Sequence, residues 1–435
     1  MKKILLFGAG KSATCLINHL VKELKNNNWF LIVCDANLAL ATSKIGGAKN
    51  TEAVSVDVGE EHSRKKLVQD ADIVVSMLPP ALHFLIAKDC VEFGKNLLTA
   101  SYVDENIKSL EKEICDKKLL FLCEMGLDPG IDHMSAMKLI HSIKEQGGNI
   151  KSFISHCGGL IAPESDNNPW HYKITWNPRN IVLAGKDGAE YLKEDKNVKI
   201  PYKSVFKDCP PVNIIDNYPL CWYPNRDSLH YIDIYGLQGI STFIRTTLRH
   251  PAFSRSWNKF VNIQLTDTSD YEQIKECKIF KEWFDVKQAT FSGNTNDKDE
   301  NVFQQQINFL GIESDERLPD NFKCSADILQ HLLEKRLAIN PHDKDMIVML
   351  HEVEYVVNGQ RSLVNSSLIV KGEDSLKTAM AKTVGLPLGI AAKLILQDKI
   401  KLTGLHIPIV PEIYEPVLAE LEKSGIKFNE EISSQ

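Results

Sequence analysis

Short apolar runs separated by amphipathic stretches fill the first 125 residues. The runs at 4–7, 30–34, 73–77, 96–99 and 119–123 lack polar alternation, the pattern of strands buried on both faces of a parallel sheet. Between them, 12–25 and 82–93 carry apolar residues at helical spacing. From about Gly130 the texture changes. Met134, Met137, Ile140 and Ile143 mark a helix that leads to Gly147-Gly148. Turn-rich β segments with clustered Pro, Asn and Trp follow from 153 to 235, and 242–340 reads as mainly helical, with a polar piece at 292–300 expected to be mobile. Two strands of a hairpin-like pair are expected at 346–355 and 362–371. The tail, 376–435, is helical and Pro-punctuated, and its apolar segment 386–396 is expected to pack back on the first domain. Strand–helix alternation at the start, then a mixed texture, predicts an α/β protein of two or three domains.

Composition narrows the function classes. With 43% hydrophobic and 25% charged residues and a net charge of −6, the chain has an ordinary globular balance and no basic footprint for nucleic acid. The apolar runs are shorter than a membrane span, so no membrane partner is expected. The ten cysteines form no Cys-x-x-Cys pair; reduced thiols in a cytoplasmic protein, with no metal site, are the expectation.

Gly8-Ala9-Gly10-Lys11-Ser12-Ala13 follows an apolar run and opens a helical one. In this Gly-x-Gly-x-x-Ala string, Gly8 allows the turn, Gly10 lets a pyrophosphate approach the backbone, and Ala13 lets helix and sheet pack closely. Amides at the helix start would face the phosphates. Asp35, which ends the run at 30–34, would accept the adenosine ribose hydroxyls and repel a 2′-phosphate, so NAD is preferred over NADP. A turn aspartate serving Asn37 is the plainer alternative. Asp57 and Val58 would lie beside the adenine, and Leu78-Pro79, past the fourth strand, near the nicotinamide ribose.

A series of strings then runs in order: Thr99-Ala100-Ser101-Tyr102-Val103; Glu124-Met125-Gly126-Leu127-Asp128-Pro129-Gly130-Ile131-Asp132-His133-Met134; Cys157-Gly158-Gly159-Leu160; Asn167-Asn168-Pro169-Trp170; Trp176-Asn177-Pro178-Arg179; Tyr223-Pro224-Asn225-Arg226-Asp227-Ser228; and Thr247-Leu248-Arg249. In these strings the chain resembles the saccharopine reductases and the glutamate-forming saccharopine dehydrogenase domain of the bifunctional lysine-degrading enzyme. The likeness runs from Met1 to about Arg249 and resumes more loosely at Met349 and at 379–396. The segment 255–340 matches poorly. The resemblance implies a Rossmann-type doubly wound dinucleotide domain plus a mixed α/β substrate domain with a helical insertion. On that plan 1–128 is the dinucleotide domain, 129–240 and 341–375 the substrate domain, 241–340 the insertion, and 376–435 the return to the first domain. Fungal members that use NADPH carry a basic residue where this chain has Asp35, and the animal and plant domains use NAD.

The implied activity is NAD(P)-dependent oxidation of saccharopine to glutamate and 2-aminoadipate 6-semialdehyde. It needs a base for the amine, a base for water and an acid for the leaving amine. Asp128, Cys157 and Tyr102 are the candidate catalytic groups. Taken alone, they read as an N-cap, a buried thiol and a packing aromatic. Substrate binding falls to Ser101, Tyr102, Asp128, Arg226, Thr247 and Arg249, since three carboxylates call for fixed guanidinium groups. Arg245 and Arg179 could equally serve surface ion pairs, and Trp176 could wall the pocket or the core. His133 and His156 lie near these motifs and stay outside the catalytic set; His133, just past a helix start, reads as structural.

Two other functions fit the same sequence. A carboxynorspermidine-type reductase would want carboxylates or aromatics where this chain has Arg226 and Arg249. A non-catalytic NAD-binding sensor would have no use for intact Tyr102, Asp128 and Cys157. A homodimer through a sheet edge or the insertion is compatible with the sequence, and no pattern compels it.

Overall fold

The computed structural model describes residues 1–289 and 297–434. The chain divides into two compact units, Met1–Gln146 with Gly372–Phe428, and Gly147–Lys371 with Asn429–Gln435. Each is α/β.

The first unit is built on a seven-stranded parallel sheet of Rossmann type. Its order is Gly404–His406, Leu120–Leu122, Asn96–Thr99, Ile73–Ser76, Lys2–Phe7, Trp29–Asp35, Thr51–Ser55. The central strand pairs Leu5 with Ile32 on one side and with Val74 on the other. Ile4, Leu5, Leu6 and Phe7 are fully buried, as a strand covered on both faces must be. Strand order reverses at Lys2–Phe7, and ligands bind such sheets outside the carboxyl ends at that reversal.

The helix Ala379–Leu396 packs on Thr14–Leu24 within this unit. A Cβ on Gly385 would stand 2.9 Å from the Leu16 nitrogen, so the two backbones meet there. Among the described residues this is the helix long and apolar enough to cross a membrane, with 78% of it buried inside the fold. It serves as a core helix.

The second unit holds a ten-stranded mixed sheet. Its main path is Pro211–Val212, Leu220–Pro224, Thr242–Arg249, Asn149–Ile161, Asp345–Val357, Gln360–Lys371, Asn429–Ser434. Thr242–Arg249 runs parallel to Asn149–Ile161, and the neighbours beyond are antiparallel. A helical layer includes Pro251–Asn262, Phe280–Ala289, Asp297–Leu310 and Ser325–Arg336. It shares a core of Trp170, Tyr172, Trp257, Phe260 and Trp283. The Lys287–Asp270 pair is fully buried there at 2.7 Å, and Asp270 also accepts the Ser325 amide at 2.8 Å. A buried charge pair is tolerated when its remaining valences are hydrogen-bonded.

Three expected boundaries move. The helix Ile131–Glu145 stays with the first unit, where it packs against Pro411–Lys423, so the first division falls after Gln146 and not at 128. Thr242–Arg249 is an inner strand of the sheet, and the helical insertion begins only at Pro251. The last strand, Asn429–Ser434, leaves the first unit and extends the second unit's sheet beside Gln360–Lys371. The polar piece expected at 292–300 lies outside the described residues up to 296, and the chain is helical from Asp297.

Candidate active site

The glycine turn follows from the ends of two parallel strands. Gly8 has φ +96°, and a Cβ there would sit 2.8 Å from the Met77 carbonyl oxygen; only glycine lets the strand ends lie this close. Around the Cβ position of Gly10 no protein atom comes within 4 Å, so the backbone is open to a ligand where it enters the turn Lys11–Ala13 and the helix Thr14–Leu24. Ala13 is buried, Ser12 half-buried and Lys11 exposed.

Asp35 does more than end its strand. Its Oδ2 accepts the Ala9 amide at 2.8 Å and its Oδ1 the Asn37 amide at 2.9 Å. The carboxylate therefore braces the glycine turn, and each oxygen keeps capacity for a further donor such as a ribose hydroxyl. This arrangement fits a dinucleotide. Lys44, which no motif had marked, donates Nζ to Thr14 Oγ1 and to the Gly10 carbonyl. Burial holds its pKa below the ordinary lysine value.

The remaining expected cofactor contacts divide. Asp57 is exposed, and its carboxylate closes a local turn onto the Gly59 amide at 2.8 Å. Val58 is a core side chain, and its carbonyl accepts Arg64 Nη1 at 2.6 Å. An apolar residue after a short strand is drawn into the core. Leu78 packs half-buried on the same core, and exposed Pro79 caps the helix Pro80–Phe93.

At the carboxyl edge of the sheet, 99–103 and 124–133 are laced together. The Met125 amide donates to the Thr99 carbonyl and the Glu124 amide to the Ser101 carbonyl, each at 3.0 Å. Glu124 Oε1 accepts the Val103 amide at 3.2 Å, and Oε2 lies 2.8 Å from His133 Nε2. Asp132 Oδ1 accepts the Gly130 amide at 2.6 Å. From 119 to 137 every residue is buried except Asp128, which is half-buried. The loop thus presents one carboxylate. Ser101 and Tyr102 are also half-buried. His83, absent from the expected set, bridges Ser76 Oγ at 2.8 Å and Ser101 Oγ at 2.7 Å.

In the second unit, strand register brings together part of the expected set. Cys157 pairs with Thr247 on one side and Met349 on the other. Alternation puts Cys157, Arg245, Thr247 and Arg249 on one face, with Tyr223 opposite Thr247 and hydrogen-bonded to it. Burial raises the Tyr223 phenol above its usual range. Arg249 is 4% exposed, with its guanidinium carbon 5.1 Å from the Tyr172 ring centroid and 5.7 Å from that of Phe253. Its Nη1 donates to the Leu248 carbonyl at 2.8 Å, and its buried Nε has no partner in the protein. A buried, stacked guanidinium with a spare donor is suited to a carboxylate.

Other expectations shift. Gly158, beside Cys157, gives its space to the neighbouring strand: a Cβ there would meet Leu248 Cβ at 2.7 Å. Arg226 is exposed at φ +52°, lining a cleft of about 610 Å³ with Asp187, Glu190, Lys199 and Asp227. Cys221 pairs with Arg249, whereas Asn225 reaches Arg245; Arg226 therefore lies at the opposite end of the paired strand from Arg249. Arg245 is buried over the Tyr231 ring at 4.4 Å and is no surface pair. Arg179 is one, at 2.8 Å from Asp327. Trp176 donates to the Tyr172 hydroxyl at 2.9 Å. His156 is buried between Thr246 and Glu352 on the face opposite Cys157. Among the described residues no cluster of His, Cys, Asp and Glu could hold a metal ion.

Comparison with known proteins decides the family. Residues 4–122 match the family described as saccharopine dehydrogenase NADP binding domain, and 126–426 the saccharopine dehydrogenase C-terminal domain. The chain belongs to the saccharopine dehydrogenase family. A Schizosaccharomyces pombe relative named saccharopine dehydrogenase (NADP(+), L-glutamate-forming) is 31% identical over 99% of each chain. The mouse mitochondrial alpha-aminoadipic semialdehyde synthase is 33% identical over 98% of this chain and 47% of its own length. The chain thus spans about half the length of that relative. The solved apo saccharopine dehydrogenase (L-Glu forming) from Saccharomyces cerevisiae covers 100% of both chains at 30% identity, with a TM-score of 0.90. A Legionella pneumophila homospermidine synthase solved with NAD shares the fold at TM-score 0.58 and 8% identity. Between the two saccharopine dehydrogenase family matches lie only residues 123–125, at the start of the loop that carries Asp128.

Proposed function

We propose that this chain is an oxidoreductase that converts saccharopine, reversibly and with NAD(P), to glutamate and 2-aminoadipate 6-semialdehyde, with NAD preferred. The observation that carries the reading is the solitary presentation of Asp128 by an otherwise buried loop. The substrate's secondary amine must lose a proton before hydride leaves, and the resulting imine must take up water and break to the amine product. When bound, the nicotinamide accepts the hydride. Asp128 takes the amine proton or orients the amine. Cys157 is the second acid–base group, and Tyr102 relays a proton or binds a carboxylate. Arg249 and Thr247 hold carboxylates on the Cys157 face of the mixed sheet, and Ser101 adds a hydroxyl. Arg226, given its exposed place, is the weaker clamp of the two arginines.

The cofactor preference rests on Asp35, whose charge beside the ribose disfavours a 2′-phosphate. The curated fungal relatives are named for NADP(+), so the preference is a point on which this chain is proposed to differ from them. Cytoplasmic location is proposed from ten cysteines that are all free thiols. Fractionation with a compartment marker tests that assignment.

The decisive experiment follows reduced-nicotinamide absorbance when purified protein meets saccharopine with NAD or with NADP. Saccharopine-dependent reduction, with glutamate and the semialdehyde as products, supports the reaction, and the ratio of the two rates reads the cofactor preference. Protein that binds NAD without turnover would move the assignment to another amine substrate or to a sensor.

A further inference from the structure

Four side chains form a chain of hydrogen bonds at the carboxyl edge of the parallel sheet. Ser76 ends the strand Ile73–Ser76, Thr99 ends Asn96–Thr99, and Ser101 follows two residues later. His83, in the first turn of Pro80–Phe93, reaches all three: Nδ1 to Ser76 at 2.8 Å, and Nε2 to Ser101 at 2.7 Å and to Thr99 at 3.4 Å. Ser76, His83 and Thr99 are buried, and Ser101 is the half-buried end. The cluster has one outlet.

Burial pushes the His83 pKa down to about 4, against a smaller opposing effect from Asp104. The ring is therefore neutral at working pH, with one nitrogen a donor and the other an acceptor. A neutral imidazole hydrogen-bonded at both nitrogens couples the Ser76 and Ser101 hydroxyls: the one facing the ring N–H accepts and the other donates. The ring tautomer therefore sets whether the outward side of Ser101 is a donor or an acceptor, and the ring holds the hydroxyl in place. Ser101 is also tied to the Asp128 loop, through its carbonyl and the Glu124 amide at 3.0 Å. Among the described residues it has no such hydrogen bond to the glycine turn.

We propose that His83 is a positioning residue which aligns the Ser101 hydroxyl to hold a polar group of the amino-acid substrate, not of the nicotinamide cofactor. The inference rests on the proposed reaction and adds to it a residue that no sequence motif marks. The hydroxyl is the contact, and the histidine acts through it.

Steady-state kinetics with saccharopine and NAD test this on wild type, Ser101→Ala, His83→Ala, His83→Gln and the Ser101→Ala/His83→Ala double variant. Ser101→Ala and His83→Ala should each raise the saccharopine KM about tenfold, the worth of one hydrogen bond. The NAD KM should stay within about twofold. The double variant should be no worse than the poorer single, because both remove the same contact. His83→Gln, which can still bridge two hydroxyls, should recover most of the loss. Multiplicative effects, or a saccharopine KM unmoved in folded His83→Ala, would overturn the inference. A rise in NAD KM equal to that for saccharopine would assign the contact to the cofactor and overturn it as well. A merely structural histidine would lower the melting temperature and kcat with both KM values unmoved. Should His83→Ala not fold, Ser101→Ala and His83→Gln carry the same comparison. An inactive wild type would overturn the proposed reaction and this inference with it; an active wild type with unmoved variants would overturn this inference alone.

Discussion

His133 Nε2 lies 2.8 Å from Glu124 Oε2, with both side chains out of solvent. The pair joins the start of the Asp128 loop to the helix that follows it. Removing the imidazole takes from Glu124 Oε2 its 2.8 Å partner in a buried site. His133→Ala should therefore cost roughly 3 kcal/mol of stability and lower kcat through the loosened loop. Urea denaturation beside saccharopine kinetics measures both. A loss below about 1 kcal/mol would return the pair to the rank of an ordinary hydrogen bond.

Asp35→Arg should raise the NAD KM by about tenfold or more and lower the NADP KM, since a guanidinium would pair with a 2′-phosphate. Part of the NAD loss will come from the Ala9 amide, which loses its acceptor. Parallel titrations with both cofactors give the answer. Unchanged values for both would remove Asp35 from the ribose site.

Arg249→Ala should weaken saccharopine by about 2–4 kcal/mol, as expected when a carboxylate in a dry site loses its fork. Arg249→Lys should recover little, because an ammonium neither lays a planar face over the Tyr172 and Phe253 rings nor donates in a plane. Equal losses in saccharopine and NAD binding would point to general damage to the sheet.

His83 also predicts a pH dependence of stability. Its folded pKa, about 4, lies below the ordinary histidine value of 6.5. Above the unfolded value both states are neutral and nothing is lost. As the pH falls from there towards 4, the unfolded chain takes a proton that the native ring refuses, so stability declines. By about pH 5 the loss from this one ring should approach 2 kcal/mol, and His250, likewise depressed by burial to about 4, acts in the same direction. Chemical denaturation of wild type and His83→Gln at about pH 7 and pH 5 isolates the effect. Identical pH slopes would show that His83 titrates alike in the folded and unfolded chain.

Much of the first unit was legible because strands buried on both faces are written as unbroken apolar runs, such as Ile4–Phe7 inside its central strand. The Asp128 loop was legible from its motif. Thr242–Arg249 was harder, since one of its faces carries Arg245, Thr247 and Arg249 and the strand looks polar. Asn429–Ser434 is exposed along its whole length at a sheet edge, so no burial pattern marks it. His83 was invisible for another reason. Its partners stand 7, 16 and 18 positions away, and only the parallel sheet brings their ends level.

The chain passes from one unit to the other three times, after Gln146, after Lys371 and after Phe428. Neither unit is a continuous stretch of polypeptide. Exchange of the cofactor-binding half between homologous genes therefore needs three matched crossovers, where a bead-on-a-string enzyme needs one. A single recombination at 371 would part the helix Ala379–Leu396 from the helix Thr14–Leu24 it covers. A working exchange of the first unit therefore has to carry 372–428 along with 1–146.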